Sequence, residues 1–402
     1  MSTEARTRYD RLEAEEMCLY SRHLLIPSIG MKGQLALKNA SVLMVGAGGL
    51  GCPALLYLAA AGVGRLGIID ADQINVSNVH RQVLFRITDK GRNKADVAKM
   101  RLQKLNPYIE IETYLERFSL ENAQALVARY DIIIDGTDNF TAKYLINDVC
   151  FLGGKPLVYG AIMQFEGHVT VFNALDAGGR RSANYRDLYD GLPDAALAPN
   201  CAEAGVLGVL PGIIGCFQAN EAIKLITGVG QPLINRLMVY DALEATSREI
   251  GYSSIDDNPL RDPVRSGLLE EVAHVCSASS ASNDFMISIA DFAALIGETP
   301  IHLIDVREGH EREQVSIGGD HFPLSEVGTW SLCCEDDRPI VLYCQSGVRS
   351  QKAARILTVQ ALKSPVFSLQ GGLSAFLGAD TYQQMIATLT LCKCHLRHHG
   401  HI

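Results

Sequence analysis

The segment GAGGLG at residues 46–51 could form a phosphate-binding loop. Gly46, Gly48 and Gly51 give the pattern GxGxxG after an apolar run that favours a strand and before one that favours a helix. The backbone of such a loop can approach phosphates while the helix N-terminus presents amide hydrogens to them. Asp70 ends the next apolar run, where a carboxylate can bind a ribose hydroxyl. This pattern predicts a nucleotide site and fits NAD as well as ATP.

Three charged residues further along the chain distinguish between these nucleotides. Arg81 lies in SNVHRQ, Lys94 in GRNKAD and Asp138 in DGTDN, all near predicted strand ends. Cations beside a carboxylate favour a triphosphate with Mg²⁺, because the charge of a leaving pyrophosphate must be neutralised. A dinucleotide dehydrogenase has no such need. The set therefore predicts ATP and magnesium rather than three solvated surface charges.

A second chemical segment is PIVLYCQSGVRSQKAARIL, in which a predicted strand delivers Cys344 into a short loop that enters a helix. Loop amides and the helix N-terminus favour a thiolate or persulfide anion, and Arg349 adds positive charge. Phosphatase loops of this kind separate cysteine and arginine by five residues, whereas four separate Cys344 from Arg349. The smaller loop favours sulfur chemistry over phosphate chemistry.

The elements around these segments predict two α/β domains. Residues 1–250 alternate strand and helix patterns, which predicts a Rossmann-like, doubly wound parallel sheet, and 157–172 alternates like antiparallel strands. Residues 251–286 are rich in Ser, Asp, Asn, Pro and Ala and are predicted to be a linker. Residues 287–378 form a smaller α/β domain, and 379–402 form a C-terminal tail.

Composition excludes several classes of protein. The 402 residues carry 36 Lys and Arg against 45 Asp and Glu, a formal charge of -9 that argues against nucleic-acid or anionic-membrane binding. No apolar stretch reaches the roughly 18 to 20 residues of a membrane span. The charged N-terminus does not resemble a signal peptide, and 11 cysteines without one indicate reduced thiols. We therefore expect a cytoplasmic protein.

Residues 13–250 resemble the ThiF/MoeB family of adenylating enzymes, on the motifs YSRHLL, VGAGGLGCP, IIDAD, SNVHRQ, KAD and DGTDN. The resemblance implies activation of the C-terminal carboxylate of a ubiquitin-like sulfur-carrier protein ending in Gly-Gly. It also implies that Asp138 holds magnesium and that Arg22 reaches a partner's ATP across a homodimer interface. The residues that it implies for nucleotide binding are Gly48, Gly49, Gly51, Asp70, Ser77, Asn78, Arg81, Lys94, Asp138 and Asn139.

The chain departs from this family at its zinc site. Many members carry two CxxC pairs, but the first matching segment here has Asn184 and Asp187 in place of the cysteines, and 247–265 contains no cysteine. Four thiolate ligands are missing, so we predict no structural zinc. Zinc-free members with a fused second domain share the NYRDLY variant. Cys201 matches a loop cysteine that forms a covalent intermediate with the carrier in some members and is dispensable in others.

Residues 287–378 resemble a rhodanese domain through LIDVRE, HFPLSE, the Cys344 loop and LQGGLSAF. The resemblance implies that Cys344 carries a persulfide, with thiosulfate or a cysteine desulfurase as sulfur donor. Gln345 stands where many rhodaneses have arginine. This departure argues against a small-molecule sulfur donor. We expect Asp305 and Arg307 to stabilise the fold. The tail from 392 is rich in Cys and His, a composition that allows metal binding, although terminal segments are usually without fixed structure.

Two other functions are alternatives to an adenylyltransferase joined to a sulfurtransferase. A nicotinamide-dependent oxidoreductase fused to a rhodanese domain accounts for GxGxxG and Asp70, but leaves Arg22, Arg81, Lys94 and Asp138 without roles. A protein-binding scaffold would keep both folds without needing a complete set of nucleotide residues. The two-step activity uses all of these residues, with Cys344, Arg349, Cys201, Arg22 and Arg81 as its catalytic candidates.

Overall fold

The structure is a computed structural model that describes residues 9–175, 179–189, 205–261, 285–329, 337–359, 364–379 and 382–388. The chain divides into two units, each with its own sheet and hydrophobic core. This confirms the predicted α/β class. None of the helices in these ranges combines the length and apolar character needed to cross a membrane.

The first unit is built on an eight-stranded sheet in the order β3-β2-β1-β4-β5-β6-β7-β8. Its strands are β1 Ser41–Val45, β2 Arg65–Ile69, β3 Glu110–Tyr114, β4 Ile132–Asp135, β5 Leu157–Met163, β6 Glu166–Phe172, β7 Arg236–Asp241 and β8 Thr246–Gly251. Pairing is parallel from β3 to β5 and antiparallel from β5 to β8. Because β1 and β4 are buried on both faces, they are continuous apolar runs rather than alternating ones.

Helices cover this sheet and join its parallel strands. They are α1 Ala14–Leu19, α2 Ser21–Leu24, α3 Gly30–Asn39, α4 Gly51–Ala61, α5 Lys94–Leu105, α6 Leu120–Ala128, α7 Phe140–Leu152, α8 Tyr185–Leu188 and α9 Leu210–Thr227. Helix α4 ends where Gly62 adopts a left-handed conformation, and α9 ends in the same way at Gly228. The β1–α4 and β4–α7 connections leave the same edge of the sheet, so their loops meet there.

Residues 251–261 differ from the predicted linker, because they pack on the first unit. The hydroxyls of Tyr252 and Thr170 share a 2.6 Å hydrogen bond. A short 3₁₀ helix spans Pro259–Arg261. Asn258 is buried and bonds to residues of α8. Polar composition suggested a linker, but these side chains find partners within the domain.

The second unit has a five-stranded parallel sheet in the order β11-β10-β12-β13-β9. Its strands are β9 Met286–Ile287, β10 His302–Asp305, β11 Asp320–His321, β12 Ile340–Tyr343 and β13 Val366–Leu369. Its helices are α10 Ile289–Glu298, α11 Gly309–Gln314, α12 Val348–Val359, α13 Gly372–Leu377 and α14 Tyr382–Thr388. The central strand β12 is wholly buried and leads directly into Cys344.

Candidate functional site

The glycine loop connects β1 to α4 and leaves no room for a side chain at Gly46 or Gly51. A Cβ atom on Gly51 would lie 2.1 Å from the carbonyl oxygen of Gly46, and one on Gly46 would lie 3.1 Å from that of Gly136. Gly46 also has a φ of +92°, which favours glycine. The loop therefore packs backbone to backbone against the β4–α7 loop, and this contact positions the residues that follow Gly136.

Asp70 lies beside this loop, and Lys94 lies near Asp70. The Asp70 carboxylate accepts hydrogen bonds of 2.8 Å from the amides of Ala47 and Asp72. Burial raises the pKa of Asp70, while the positive charge of Lys94 opposes that rise. Lys94 is buried and its Nζ lies 2.8 Å from the carboxylate of Asp72. Asp72 is therefore a residue of the site that the motif analysis did not single out.

Arg81 and Gln82 contact the loop from the segment after β2. The Cδ of Arg81 lies 3.8 Å from the Cβ position of Gly49, and the Nε2 of Gln82 lies 3.8 Å from that of Gly48. Gln82 is 4% exposed, and its Oε1 has no hydrogen-bond partner in the described part of the chain. Such a buried acceptor needs a partner, which a bound ligand can supply. The sequence signal for Gln82 was its place directly after Arg81 in SNVHRQ.

The β4–α7 loop carries Asp138, and a buried ion pair holds it in place. Asp135 accepts hydrogen bonds from the amide and hydroxyl of Thr137 at 2.8 and 2.7 Å, and Lys143 Nζ lies 2.9 Å from its other oxygen. Asp138 is exposed, and Asn139 caps α7 by accepting from the amide of Ala142. The motif DGTDN contains Asp135 but does not indicate its pairing with Lys143, because that pairing depends on how α7 packs against the sheet.

These groups fit a nucleoside triphosphate with magnesium. Mg²⁺ commonly uses one or two protein carboxylates and completes its shell with phosphate oxygens and water, and Asp138 offers an exposed carboxylate. The amide of Ser77 donates to the side chain of Asn75, and the carbonyl of Asn78 accepts from the amides of Arg81 and Gln82. These hydrogen bonds stabilise the turn from residue 75 to residue 82. Arg22 is exposed on α2 and, within the described ranges, has no hydrogen bond or ion pair to the other site residues.

The sulfur of Cys344 is held inside the loop between β12 and α12. Cys344 is fully buried, and its Sγ accepts from the amide of Gly347 at 3.1 Å. The hydroxyl of Ser350 lies 3.6 Å from Sγ and 3.1 Å from the carbonyl oxygen of Gly347, and its one hydrogen can be donated to either acceptor. Ser350 is itself held by Ser368 at 2.8 Å. Both donors stabilise negative charge on sulfur. The loop amide was predicted, whereas Ser350 and Ser368 were not, since Ser368 comes from the neighbouring strand β13.

Arg349 does not point a free guanidinium at the sulfur. Its Nη1 and Nη2 atoms each lie 2.6 Å from a carboxylate oxygen of Glu311, a residue of α11. The hydrogen bonds from Arg349 hold the pKa of Glu311 below its ordinary value. Asp305 and Arg307 form a second, buried pair at 2.7 Å, consistent with their expected structural role. Glu311 is a residue that the motifs did not indicate.

Asn184 and Asp187, which stand at the predicted positions of the missing zinc ligands, take part in a polar cluster. Asn258 Nδ2 donates to Asn184 at 3.2 Å and to Asp187 at 2.8 Å, and Arg261 Nη2 donates to Asp187 at 2.7 Å. Burial raises the pKa of Asp187, but hydrogen bonds from Arg261, Asn258 and two backbone amides outweigh it and hold the pKa below its ordinary value. Cys201 and the Cys/His tail lie outside the described residues.

Family models match both units of the chain. The model of the ThiF family matches residues 20–258, which is more than half of the chain. The chain belongs to the ThiF family. A rhodanese-like domain model matches residues 288–379 of this ThiF-family protein.

The relatives of this ThiF-family chain are named for one or both of two activities. A probable adenylyltransferase/sulfurtransferase MoeZ of Mycobacterium tuberculosis is 42% identical over 378 residues, covering 91% of this chain and 94% of the relative. A sulfur carrier protein adenylyltransferase of Thermus thermophilus is 49% identical over 240 residues, covering 60% of this chain and 89% of the relative. The chain is therefore an adenylyltransferase and a sulfurtransferase.

A solved structure shows the same fold for the first unit. Escherichia coli MccB with MccA-N7isoASN superposes with a TM-score of 0.53 at 22% identity, covering 61% of this chain and 74% of that chain. At that identity the likeness bears on the fold alone.

Proposed function

We propose that this chain adenylates the C-terminal glycine of a ubiquitin-like sulfur-carrier protein and then transfers sulfur to it from a persulfide on Cys344. The observation that carries this proposal is that one chain holds both a loop with groups for a triphosphate and an anion-stabilising cysteine loop. The printed name of the Thermus thermophilus relative, a sulfur carrier protein adenylyltransferase, supports the carrier as substrate.

In the first step, a carboxylate oxygen of the carrier attacks the α-phosphorus of ATP and pyrophosphate leaves. Asp70 binds the ribose, and Arg81 and Lys94 neutralise charge on the phosphates. Asp138 would hold magnesium, which would supply further positive charge to the leaving pyrophosphate. The buried pair Asp135–Lys143 keeps the loop that carries Asp138 in position. The product is an acyl-adenylate, from which AMP leaves readily.

In the second step, the outer sulfur of the Cys344 persulfide attacks the acyl carbon and AMP leaves, which joins carrier and Cys344 through an acyl disulfide. A thiol, from Cys201 or an external reductant, then attacks the Cys344 sulfur and releases the thiocarboxylate. In an alternative route, Cys201 first forms a thioester with the carrier. A large loss of product from Cys201→Ala with excess external thiol supports the thioester, and a small loss supports direct attack.

The test combines the chain with ATP, Mg²⁺, a sulfur donor and a carrier ending in Gly-Gly. We expect the intact mass of the carrier to change by one oxygen-to-sulfur exchange, and only when ATP is present. Exchange of pyrophosphate into ATP should depend on the carrier. Dinucleotide binding without pyrophosphate exchange would instead favour an oxidoreductase.

We further propose that the active form is a homodimer in which Arg22 serves the partner's site. Exposed apolar residues beside it, Leu25 at 70% and Ile26 at 43%, support an interface there. Arg22→Ala and Asp138→Ala should each be inactive in adenylation, but mixed dimers contain one intact composite site. An equal mixture should recover about a quarter of parental exchange. No recovery after confirmed subunit exchange contradicts the shared site.

The proposal includes no structural zinc, because Asp187 is already bound by Arg261 and Asn258. Metal analysis of a chain ending at residue 390 should find well under one equivalent of zinc. Stoichiometric zinc in that chain would contradict this part of the proposal.

A further inference from the structure

The guanidinium of Arg81 is held by one of its three nitrogens. Its Nη1 lies 2.8 Å from Nε2 of His80 and 3.2 Å from the carbonyl oxygen of Ser77. A guanidinium has hydrogens to donate and no acceptor, so Nε2 is the acceptor, which requires a neutral imidazole with its proton on Nδ1. Among the described residues, Nε and Nη2 of Arg81 have no hydrogen-bond partner. These two nitrogens can therefore bind phosphate oxygens as a pair.

The imidazole of His80 is confined on its other side by the chain that leads into α9. A Cβ atom on Gly208 would lie 2.9 Å from Nδ1 of His80 and 3.0 Å from the carbonyl oxygen of the same residue. Gly208 precedes the first residue of α9, Leu210, by two positions. One ring nitrogen of His80 therefore faces Arg81 and the other faces the backbone of Gly208, where a side chain would displace the ring.

The stem of Arg81 is placed over the nucleotide loop at the same point. Its Cδ lies 3.8 Å from the Cβ position of Gly49, and the Cβ of Pro211, in the first turn of α9, lies 3.0 Å from that position. An arginine side chain has several rotatable bonds and loses conformational freedom when it binds a ligand. An anchor that is present before ATP arrives reduces this loss, because part of the side chain is already fixed.

We propose that His80 is a positioning residue for adenylation, which anchors Nη1 of Arg81 so that Nε and Nη2 face the phosphates of ATP. This inference rests on the proposed role of Arg81 at the phosphates. His80 acts through Arg81, so the loss of its ring nitrogen should lower the rate only as far as the guanidinium loses its position.

The first experiment measures carrier-dependent exchange of pyrophosphate into ATP by the full chain. His80→Leu removes the acceptor and should lower kcat/KM for ATP about tenfold. His80→Gln supplies a neutral carbonyl oxygen at a similar reach and should stay within about threefold of the parent. An unchanged kcat/KM in His80→Leu, or an equal loss in both variants, overturns the inference. Denaturant titration of each variant shows that it is folded.

A double substitution separates positioning of Arg81 from a general structural role. In the Arg81→Ala background there is no guanidinium to anchor, so adding His80→Leu should lower kcat/KM for ATP by less than about twofold. Raised enzyme concentration keeps the slow exchange of Arg81→Ala measurable. A further loss as large as the one that His80→Leu causes in the parent overturns the inference, because the two residues would then act independently.

Gly208 allows a test that leaves both polar residues in place. Gly208→Ala should displace the imidazole of His80 and lower kcat/KM for ATP about three- to tenfold. Gly212→Ala, at a position where a Cβ atom meets nothing within 4 Å, is the matched control and should change it less than about twofold. Equal kcat/KM values in the two glycine variants contradict the inference.

Failure of this inference can be told apart from failure of the proposed function. If Arg81→Ala loses exchange while His80→Leu keeps it, Arg81 needs no anchor and its proposed role stands. If Arg81→Ala exchanges pyrophosphate at the parental rate, the proposed role of Arg81 in adenylation is itself wrong.

Discussion

The nucleotide loop and the sulfur loop both connect a strand to a helix. They differ in how many of their polar groups already have hydrogen-bond partners within the protein. At the nucleotide loop, Asp138 is exposed and the Oε1 of Gln82 is buried without a partner among the described residues. At the sulfur loop, Cys344 is buried with two hydrogen-bond donors, and Arg349 is bound on both terminal nitrogens by Glu311. The nucleotide loop therefore has polar groups left for a ligand, whereas the polar groups of the sulfur loop are already hydrogen-bonded within the protein.

This difference follows from what each loop must hold. A triphosphate carries several charges and must be released after each reaction, so some of its partners stay available until it binds, although Lys94 is meanwhile paired with Asp72. A persulfide is one covalently attached anion, so the scaffold can stabilise it permanently. If the comparison is correct, substitutions in either loop should affect one half of the reaction and spare the other.

Replacement of Cys344 should have the largest effect. Cys344→Ala removes the sulfur that carries the persulfide, so thiocarboxylate formation from a persulfide donor should fall to background. Pyrophosphate exchange should remain within about twofold of the parent, because the nucleotide residues belong to the other unit. Excess inorganic sulfide should restore some product by attacking the acyl-adenylate directly. Intact-mass analysis of the carrier measures the product, and normal yield from this variant would remove the second unit from the mechanism.

Asp138→Ala is the reciprocal change in the nucleotide loop. Loss of the proposed magnesium ligand should lower pyrophosphate exchange about 100- to 1,000-fold, while Cys344 should still accept sulfur at the parental rate. Glu116→Ala, which removes an exposed carboxylate elsewhere on the same unit, should leave exchange unchanged. Exchange by Asp138→Ala at the parental rate would show that the ATP site has been misassigned.

Asp187→Asn tests whether the polar cluster stabilises the first unit. The side chain of Asp187 is 0% exposed and binds Arg261, so loss of its charge should reduce the free energy of unfolding by about 2–3 kcal/mol. The exposed Asp257→Asn serves as control and should change it by less than about 0.5 kcal/mol. Denaturant titration of each variant gives these differences, and equal stabilities of the two variants would refute the role of the cluster.

The pH dependence of the same variant follows from the lowered pKa of Asp187. A carboxylate with a lower pKa in the folded chain than in the unfolded chain stabilises above the ordinary value of about 3.9. That stabilisation disappears as pH falls through the folded-state pKa. The stability difference between parent and Asp187→Asn should therefore be constant at neutral pH and shrink below about pH 4. A difference that grows on acidification would contradict this assignment.

The smallest expected effect concerns Ser350. Its 3.6 Å hydrogen bond to Cys344 Sγ is long and competes with a 3.1 Å bond to the carbonyl of Gly347, so Ser350→Ala should slow persulfide formation only about three- to tenfold. Adenylation should not change. Ser346→Ala removes an exposed hydroxyl from the same loop and should alter the rate less than twofold. A loss in Ser350→Ala as large as in Cys344→Ala would show that this hydroxyl does more than support the anion.

The sequence by itself determined the α/β class, the two chemical loops and the ThiF and rhodanese resemblances. These features are local, because a strand, a glycine turn and a helix start follow one another within a few residues. GxGxxG after β1 and Cys344 after β12 could therefore be located before any fold was known. Residues 251–261 were assigned to a linker because polar composition does not reveal which partners such side chains will find.

Only the tertiary structure decided how the charged groups pair. Glu311 meets Arg349 from a helix 38 residues earlier in the chain, and Asp187 meets Arg261 across 74 residues. Gln82 became notable when its burial left an oxygen without a partner among the described residues. Spacing along the chain cannot show such contacts, because the pairing of distant side chains and the burial of a polar atom depend on how separate elements pack together.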